Sequence, residues 1–304
     1  MARPLTIVPQ TYPVQRLCEE SLSIDFLYSN VLLSEEACLR WLATYGLVLN
    51  ERTCDFCERP MCFLMQRMKW RCVVCFRDVG ARKGSFFEKN RLLSLTTVVK
   101  LLYWWTKNDC QETVSKEVGV SRMTVIGVFG FCRSVCVRVM EAHPPDLGGP
   151  GKVVEVDESV FASRKYNRGR MLQTQWVLGG IERGSGDCFL VVVPDRTADT
   201  LLPIIADHVS PETRIITDGW ASYRQLPNHA AVNHSLHFVD PNDRLVHTNT
   251  VERLWRSAKE FLRLRRARGE PEALQANLHE FLWRRHHKNR LLGNLLFWIA
   301  FYNQ

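Results

Sequence analysis

Residues 152–161 read KVVEVDESVF, residues 174–183 read TQWVLGGIER, and residues 187–194 read DCFLVVVP. Apolar residues dominate all three stretches, and polar or glycine-containing segments separate them, a pattern that is typical of consecutive β-strands. The three stretches therefore predict the first three strands of one sheet.

The residues that follow alternate between helical and strand patterns. In chain order they predict a helix at about 198–209, a strand that ends at Thr217-Asp218, a short strand near 232–239, and helices from about 250 onward. With a helix between the last two strands, the order is βββαβαβα, which predicts an α/β fold in which helices pack on a mixed sheet.

Residues 144–151, PPDLGGPG, mark a domain boundary because they cannot sustain a helix or a central strand. The sheet domain is expected to occupy 152–304, and the apolar spacing of 81–145 predicts helices. Cysteine pairs set residues 51–80 apart as a small unit. Residues 1–50 are predicted to be helical, with Ser34 as an N-cap.

Composition limits the class of protein. The chain has 304 residues, of which 46% are hydrophobic, so it can bury a sizeable core. A net charge of +8 favours a polyanionic partner such as nucleic acid. No run of 18 apolar residues occurs, so we expect a soluble protein without a membrane partner. The 11 cysteines are odd in number and unevenly placed, which favours a reducing compartment and no structural disulfides.

Four cysteines form two pairs of equal spacing, Cys54-x-x-Cys57 and Cys72-x-x-Cys75. This spacing lets four thiolates converge tetrahedrally on one Zn²⁺ ion, and unrelated buried cysteines rarely fall into such pairs. Four protein ligands leave no open position, so the zinc is predicted to be structural. It would hold together a unit too small to fold on its own core.

Two aspartates lie where predicted strands end. Asp157 follows the apolar stretch 153–156, and Asp218 follows the stretch 215–217. Glu252 opens a later predicted helix, from which its side chain could face the same strand ends. Magnesium prefers oxygen ligands, and a two-metal site for phosphoryl transfer needs convergent carboxylates. Together the three residues predict a site for two Mg²⁺ or Mn²⁺ ions.

Residues 111–125 resemble a helix-turn-helix. A helical stretch at 111–118 is followed by Gly119 in the turn and by Ser121 as the cap of a second helix. In this arrangement Arg122 would face DNA. The second helix also carries apolar residues such as Val125, so plain packing of two helices is the alternative.

Three motifs resemble those of Merlin-type DDE transposases and their ISXO-like insertion-sequence relatives. They are EVDES at 155–159, TDGWASY at 217–223 and HTNTVERLW at 247–255. The likeness extends over essentially the whole chain and includes the zinc ribbon at 51–80. It implies an RNase H-like catalytic domain with Asp157, Asp218 and Glu252 as the metal ligands. Some relatives use an asparagine in the third motif, which makes Asn249 the alternative third ligand.

Basic residues near these motifs are expected to contact DNA phosphates. Lys259 lies two helical turns after Glu252 on the same face and resembles a lysine that the family places near the site. Two further clusters comprise Arg164, Lys165 and Arg168 after the first strand, and Arg263, Arg265 and Arg266 after the third motif.

The motifs and the resemblance predict a DNA transposase. It would hydrolyse a phosphodiester at the transposon ends and join the freed 3′ hydroxyl to double-stranded target DNA, acting as a homodimer on DNA. One alternative is a domesticated derivative that binds zinc and DNA without cleavage. Another is a host nuclease of the same fold that cuts without strand transfer. The expected location is the nucleus in a eukaryotic host, and otherwise the cytoplasm with the nucleoid.

Overall fold

The computed structural model describes residues 4–162, 174–232, 243, 245–264 and 270–302. The chain divides into two compact units, one made of Met1–Val135 with His287–Gln304 and the other of Cys136–His286.

The first unit opens with short helical segments. They are a 3₁₀ turn at Val14–Cys18, α1 at Ile24–Phe26, a π turn at Leu27–Val31, and α2 at Glu35–Thr44. The predicted cap is present, because the Ser34 hydroxyl accepts the Ala37 N–H at 3.0 Å. Acidic residues in the first turn of α2 also favour the helix start.

A three-stranded antiparallel sheet follows the first helices. Its strands are β1 at Met61–Leu64, β2 at Lys69–Cys72 and β3 at Asp78–Gly80, in the order β1-β2-β3. The Phe63 and Trp70 rings face each other across β1 and β2, with centroids 4.8 Å apart. Both rings are buried, as are Met61 and Cys72 of the same two strands.

Four helices complete the N-terminal part of this unit. They are α3 at Phe86–Lys89, α4 at Leu95–Lys107, α5 at Gln111–Val118 and α6 at Arg122–Ala142. Gly119 ends α5 with φ +73°, a conformation that glycine adopts without strain, and the Ser121 hydroxyl accepts the Thr124 N–H at the start of α6. The structure therefore has the two helices and the turn expected at 111–125.

Helix α6 is the one helix in the described ranges that is long and apolar enough to cross a membrane. Its buried side chains within the first unit recur at intervals of three and four residues, namely Val125, Val128, Phe129, Cys132 and Val135. That spacing is typical of a helix with one face packed in a protein core.

The second unit is built on a five-stranded mixed sheet. Its strands and first helix are β4 at Leu147–Gly148, β5 at Val153–Ala162, β6 at Gln175–Glu182, β7 at Cys188–Val193, α7 at Ala198–His208, β8 at Val209–Ser210, β9 at Arg214–Asp218 and β10 at His229–Val232. The five strands have the order β10-β9-β5-β6-β7, while β4 pairs only with β8. Strands β5, β6 and β7 are antiparallel, and β9 and β10 run parallel to β5.

The predicted mixed sheet is thus confirmed, with two differences in detail. A 3₁₀ turn at Ala221–Tyr223 stands where the order βββαβαβα placed a helix. Strand β10 ends at Val232, and residues 233–239 of the strand predicted near 232–239 lie outside the described part of the chain.

Helices cover both faces of this sheet. Helices α8 at Asn249–Leu264 and α9 at Pro271–His287 bury Leu254 and Leu278 against Val177 and Leu190 of the sheet. Helix α7 packs on the opposite face, where Leu201 and other side chains meet the buried valines of β5. Strand β5 is therefore covered on both sides.

The last helix, α10 at Leu291–Tyr302, belongs to the first unit and not to the sheet domain predicted for 152–304. Gly293 allows its close approach to the N-terminal 3₁₀ turn, since a Cβ there would lie 1.9 Å from the Leu17 carbonyl oxygen. The Arg290 guanidinium also donates to the Cys18 carbonyl oxygen at 3.2 Å.

Candidate active site and zinc site

Strand register brings the two predicted aspartates together, although Asp157 lies in the middle of β5 and not at a strand end as predicted, because β5 continues to Ala162. Strand β5 pairs in parallel with β9, with Val153 opposite Arg214 and Glu155 opposite Ile216. The same offset of 61 residues places Asp157 level with Asp218, just beyond the last paired residues. Neighbouring strands lie about 4.8 Å apart, so carboxylates at one level can share a ligand.

Helix α8 runs alongside β5 and contacts every second residue of it. Glu155 accepts the Val251 N–H at 2.9 Å, Asp157 accepts the Trp255 indole N–H at 2.9 Å, and the Lys259 ammonium donates to the Ser159 hydroxyl at 2.7 Å. Two residues of a strand advance about 6.6 Å and four residues of a helix about 6 Å. Every second residue of β5 therefore lies beside every fourth residue of α8.

Glu155 fixes the N-terminus of α8. Its buried carboxylate accepts the Thr250 N–H at 2.7 Å and the Thr250 hydroxyl at 2.7 Å, as well as the Val251 N–H. The Arg183 guanidinium donates to it at 2.6 Å and also to the His247 carbonyl oxygen at 2.8 Å. A carboxylate at this position satisfies helix N–H groups that have no partner within the helix, and it favours the positive end of the helix dipole.

Trp255 reaches Asp157 because the neighbouring strand leaves space for it. Gly179 of β6 lies opposite Asp157, and a Cβ there would be 2.4 Å from the Trp255 ring. The glycine therefore allows the indole to lie over β6 and to hold one carboxylate oxygen of Asp157.

Asp218 begins a turn that its own side chain stabilises. Its carboxylate accepts the main-chain N–H of Trp220 at 3.0 Å. The Trp220 indole N–H and the Ser222 hydroxyl both donate to the Arg196 carbonyl oxygen, at 3.2 and 2.8 Å. This turn replaces the helix expected after β9 and leads into the buried Tyr223.

Glu158 is a third carboxylate at this site, and sequence reasoning missed it. Carboxylate oxygens of Asp157, Glu158 and Asp218 all lie within 4.8 Å of one another. One oxygen of Glu158 and the hydroxyl of Tyr223 are buried without a hydrogen bond of standard geometry among the described residues, although the two groups lie close enough to affect each other's pKa. Burial, reinforced by the charges of Asp218 and Asp157, raises the pKa of Glu158 to about 7.

This carboxylate group could hold a divalent cation. Its donors are all oxygens, as magnesium and manganese prefer, and a bound ion would offset the repulsion among three neighbouring carboxylates. The buried oxygen of Glu158 has no hydrogen bond of standard geometry among the described residues, so an ion or an ion-bound ligand could satisfy it, as buried polar atoms normally are.

Glu252 lies outside this group in the structure. It is exposed in the first turn of α8, one turn before Trp255 and two turns before Lys259. Asn249 is the first residue of the same helix and is half-buried. Asp157 and Asp218 therefore lie together in the structure, whereas Glu252 lies outside their group, in the first turn of α8.

The four cysteines of the N-terminal unit form the second group. The Sγ atoms of Cys54 and Cys75 lie 3.4 Å apart, and those of Cys57 and Cys72 lie 3.3 Å apart. All four Sγ atoms fall within 4.8 Å of one another, whereas Cys62 is not in the group. Tetrahedral zinc with Zn–S bonds of about 2.3 Å needs sulfur atoms about 3.8 Å apart, so the group could hold zinc.

Main-chain N–H groups support a thiolate within this group. The N–H groups of Cys75 and Val74 lower the pKa of Cys72 to about 6. The thiolate is the form of cysteine that binds metal.

Comparison with known proteins identifies the family. The sequence profile of the ISXO2-like transposase domain matches residues 147–286, which include the five-stranded sheet and α8. A transposase-like protein of Haemophilus influenzae is 35% identical over 101 residues, which cover 32% of this chain and 78% of that protein. The chain belongs to the ISXO2-like transposase family. The resemblance seen in its three motifs is confirmed.

Two more distant similarities accompany this match. Male abnormal protein mab-31 of Caenorhabditis elegans is 25% identical over 182 residues, and the alignment covers 52% of this transposase but only 42% of the nematode protein. A chain of the simian T-cell lymphotropic virus intasome in complex with PP2A regulatory subunit B56 gamma is 15% identical, with a TM-score of 0.28. That comparison covers 62% of the transposase and 67% of the intasome chain.

The structure locates some of the basic residues predicted to contact DNA. Arg122 is exposed at the start of α6, and Arg263 is exposed in the last turn of α8. Lys259 is exposed and lies beside Ser159 and over the Phe161 ring. The other residues predicted to contact DNA lie outside the described part of the transposase: Arg164, Lys165, Arg168, Arg265 and Arg266.

The raised pKa of Glu158 gives a stability prediction for the transposase. The folded chain holds this proton more tightly than the unfolded chain, so the stability it contributes is present below about pH 4.5 and is lost as the pH rises through about 7. We expect Glu158→Gln to raise the Tm at pH 8 by a few degrees, equivalent to about 1 kcal/mol, and to change it little at pH 5. Thermal unfolding in magnesium-free buffer that retains zinc measures both.

Glu260→Gln is the control for this measurement, because Glu260 is exposed on α8. It should leave the Tm within about 0.5 kcal/mol of wild type at both pH values. An equal effect of Glu158→Gln at pH 5 and pH 8 would contradict the titration of Glu158.

Proposed function

We propose that this ISXO2-like transposase cuts DNA at the ends of its element and joins the freed 3′ hydroxyl to target DNA. Asp157, Asp218 and Glu252 are the proposed ligands of two magnesium or manganese ions. The observation that carries the proposal is the level placement of Asp157 and Asp218 on adjacent parallel strands, with α8 held against the same strand.

The strand order β10-β9-β5-β6-β7 supports assignment of this sheet to the RNase H-like class, since three antiparallel strands are followed by two parallel ones on the other side of β5. In this arrangement α8 carries the third acidic residue. Glu252 lies one helical turn from Trp255, which contacts Asp157, so the two residues are neighbours on the surface of α8.

The two ions, when bound, would activate the attacking water or hydroxyl and stabilise the leaving oxygen. The chain's own groups position these ligands. Trp255 holds one oxygen of Asp157, the Trp220 N–H holds one oxygen of Asp218, and Glu155 anchors the helix of Glu252. Little movement of ligands is then needed at the moment of reaction.

The N-terminal unit is proposed to recognise the ends of the transposable DNA element. A zinc ribbon at 51–80 and the helices α5 and α6 would bind the inverted-repeat ends, with Arg122 at the start of α6 near DNA. Since two ends must be joined in one complex, we propose a homodimer on DNA, located in the nucleus of a eukaryotic host or in the nucleoid of a bacterium.

Cleavage of labelled DNA that carries the element's own ends, in magnesium or manganese, tests the proposal. Asp157→Ala, Asp218→Ala and Glu252→Ala should each bind this DNA with wild-type affinity and cut it at least about 100-fold more slowly. Glu260→Ala, on an exposed position of the same helix, is the matched control and should cut normally.

Each other outcome assigns a different function or ligand. Wild-type protein that binds the ends but does not cut them is a domesticated DNA-binding derivative, and one that cuts without joining is a nuclease. If Glu252→Ala remains active and Asn249→Ala does not, Asn249 is the third ligand. If Glu158→Ala is the inactive variant instead, Glu158 takes that place.

A further inference from the structure

A tryptophan, an arginine and a second tryptophan stack in series beside the proposed site. The Arg196 guanidinium carbon lies 4.1 Å from the centre of the Trp176 ring and 4.3 Å from that of Trp220. Arg196 and Trp176 are half-buried, whereas 41% of Trp220 is exposed. Trp220 belongs to the second motif, but the proposed metal site does not account for an exposed indole supported in this way.

The Trp220 ring is held rigidly in place. Its indole N–H donates to the Arg196 carbonyl oxygen, and its main-chain N–H donates to the Asp218 carboxylate. One aromatic face packs on a guanidinium, a favourable cation–π contact. A rigid aromatic side chain loses little conformational entropy when it binds a ligand, so it provides a preorganised contact surface.

The position of this ring limits what it can contact. Trp220 is two residues from Asp218, and their Cα atoms are therefore at most about 7 Å apart. A phosphodiester bound at Asp157 and Asp218 would bring its own nucleotides to the indole. The Arg196 charge, which acts on Glu158 as well, favours a polyanionic ligand here.

We propose that Trp220 stacks on the base of one unpaired nucleotide next to the bond that is cut. This inference rests on the proposed function. A base within a duplex has both faces covered by its neighbours, so an indole can stack on it only after the base has left the helix. The Trp176–Arg196–Trp220 stack would stabilise that nucleotide and open the duplex at the cut.

A substitution at Trp220 tests the stack without displacing Asp218, because the hydrogen bond to Asp218 comes from the main chain. Ser222 also retains its bond to the Arg196 carbonyl oxygen. Trp220→Ala is expected to cut fully paired end DNA about 10-fold more slowly, the loss expected for one base–aromatic stack. Trp220→Phe, which retains a ring, should retain most of the activity.

Substrates with a single mismatch separate stacking from a general structural role. The mismatch is moved through the positions on either side of the cut, and at one position Trp220→Ala should regain a rate close to wild type. Equal losses on paired and mismatched DNA, or no loss on paired DNA, would overturn the inference.

A second measurement does not require cleavage. The fluorescent base 2-aminopurine is placed at the position where a mismatch restores cleavage by Trp220→Ala, or at each position flanking the cut in turn. Calcium replaces magnesium in this experiment. Binding of the wild-type protein should then change the fluorescence of the DNA. Trp220→Ala should leave it as in the free duplex. Failure of wild type to cut any substrate refutes the proposed function, and the fluorescence comparison still decides the stacking inference.

Discussion

Replacement of Cys72 by serine is expected to release one zinc ion per chain and to unfold residues 51–80. The sulfur atoms of Cys54, Cys57, Cys72 and Cys75 lie within 4.8 Å of one another, a separation that four ligands of one zinc ion require. The unit is small and its strands bury few large side chains, among them Met61, Phe63 and Trp70, so its core gives it limited support. Structural zinc contributes about 10–16 kcal/mol in such small units.

Zinc content and limited proteolysis measure this effect. After loss of zinc, trypsin should cleave at Arg67, Lys69 and Arg71, which lie in or beside the strands β1 and β2. Cys62→Ser is the matched control, since Cys62 is buried in the same small sheet but is not in the sulfur group. Equal zinc content in the Cys72→Ser and wild-type proteins would show that the four sulfurs do not bind zinc.

Local patterns predicted the convergence of the four cysteines and that of Asp157 with Asp218. The spacing of the two cysteine pairs predicts their convergence, because each pair places two sulfurs on one turn. Asp218 ends β9 as predicted, whereas Asp157 lies in the middle of β5. The parallel pairing of the two strands brings the two residues to one level. In each case a few neighbouring residues place the side chain within its own strand or turn, and pairing of the strands then brings the side chains together.

Features that depend on contacts distant in sequence could not be predicted in this way. Glu158 follows Asp157, and alternation along a strand puts adjacent side chains on opposite faces, so its approach to both aspartates was not expected. Its environment comes from Tyr223, on a turn 65 residues later. The signal available in the sequence was that Glu158 is an acidic residue directly after Asp157, a predicted metal ligand.

Helix α10 illustrates a second limit. Its buried residues Leu292, Leu295, Leu296 and Ile299 predict a helix with a packed apolar face, yet they specify no particular partner. The partner depends on the close approach that Gly293 allows at Leu17. Chain order alone assigned this helix to the sheet domain.

Glu155→Ala is expected to lower the free energy of unfolding of the sheet unit by about 3–5 kcal/mol, the cost of breaking a buried ion pair by removal of one partner. The substitution leaves the Arg183 guanidinium and the N–H groups of Thr250 and Val251 without the carboxylate that they now share. Urea denaturation followed by circular dichroism measures the change.

A double-mutant cycle then separates the ion pair from helix anchoring. If Arg183 serves mainly to neutralise Glu155, Arg183→Ala should also destabilise the unit, and the double variant should lose much less than the two single losses combined. Arg214→Ala, which removes an exposed pair with Asp243, should cost no more than about 1 kcal/mol. If Glu155→Ala also lowers the free energy of unfolding by no more than about 1 kcal/mol, α8 is held by its apolar face alone. A large loss, together with weaker cleavage by the folded Glu155→Gln variant, would show that the same carboxylate that stabilises the fold also positions the helix of Glu252.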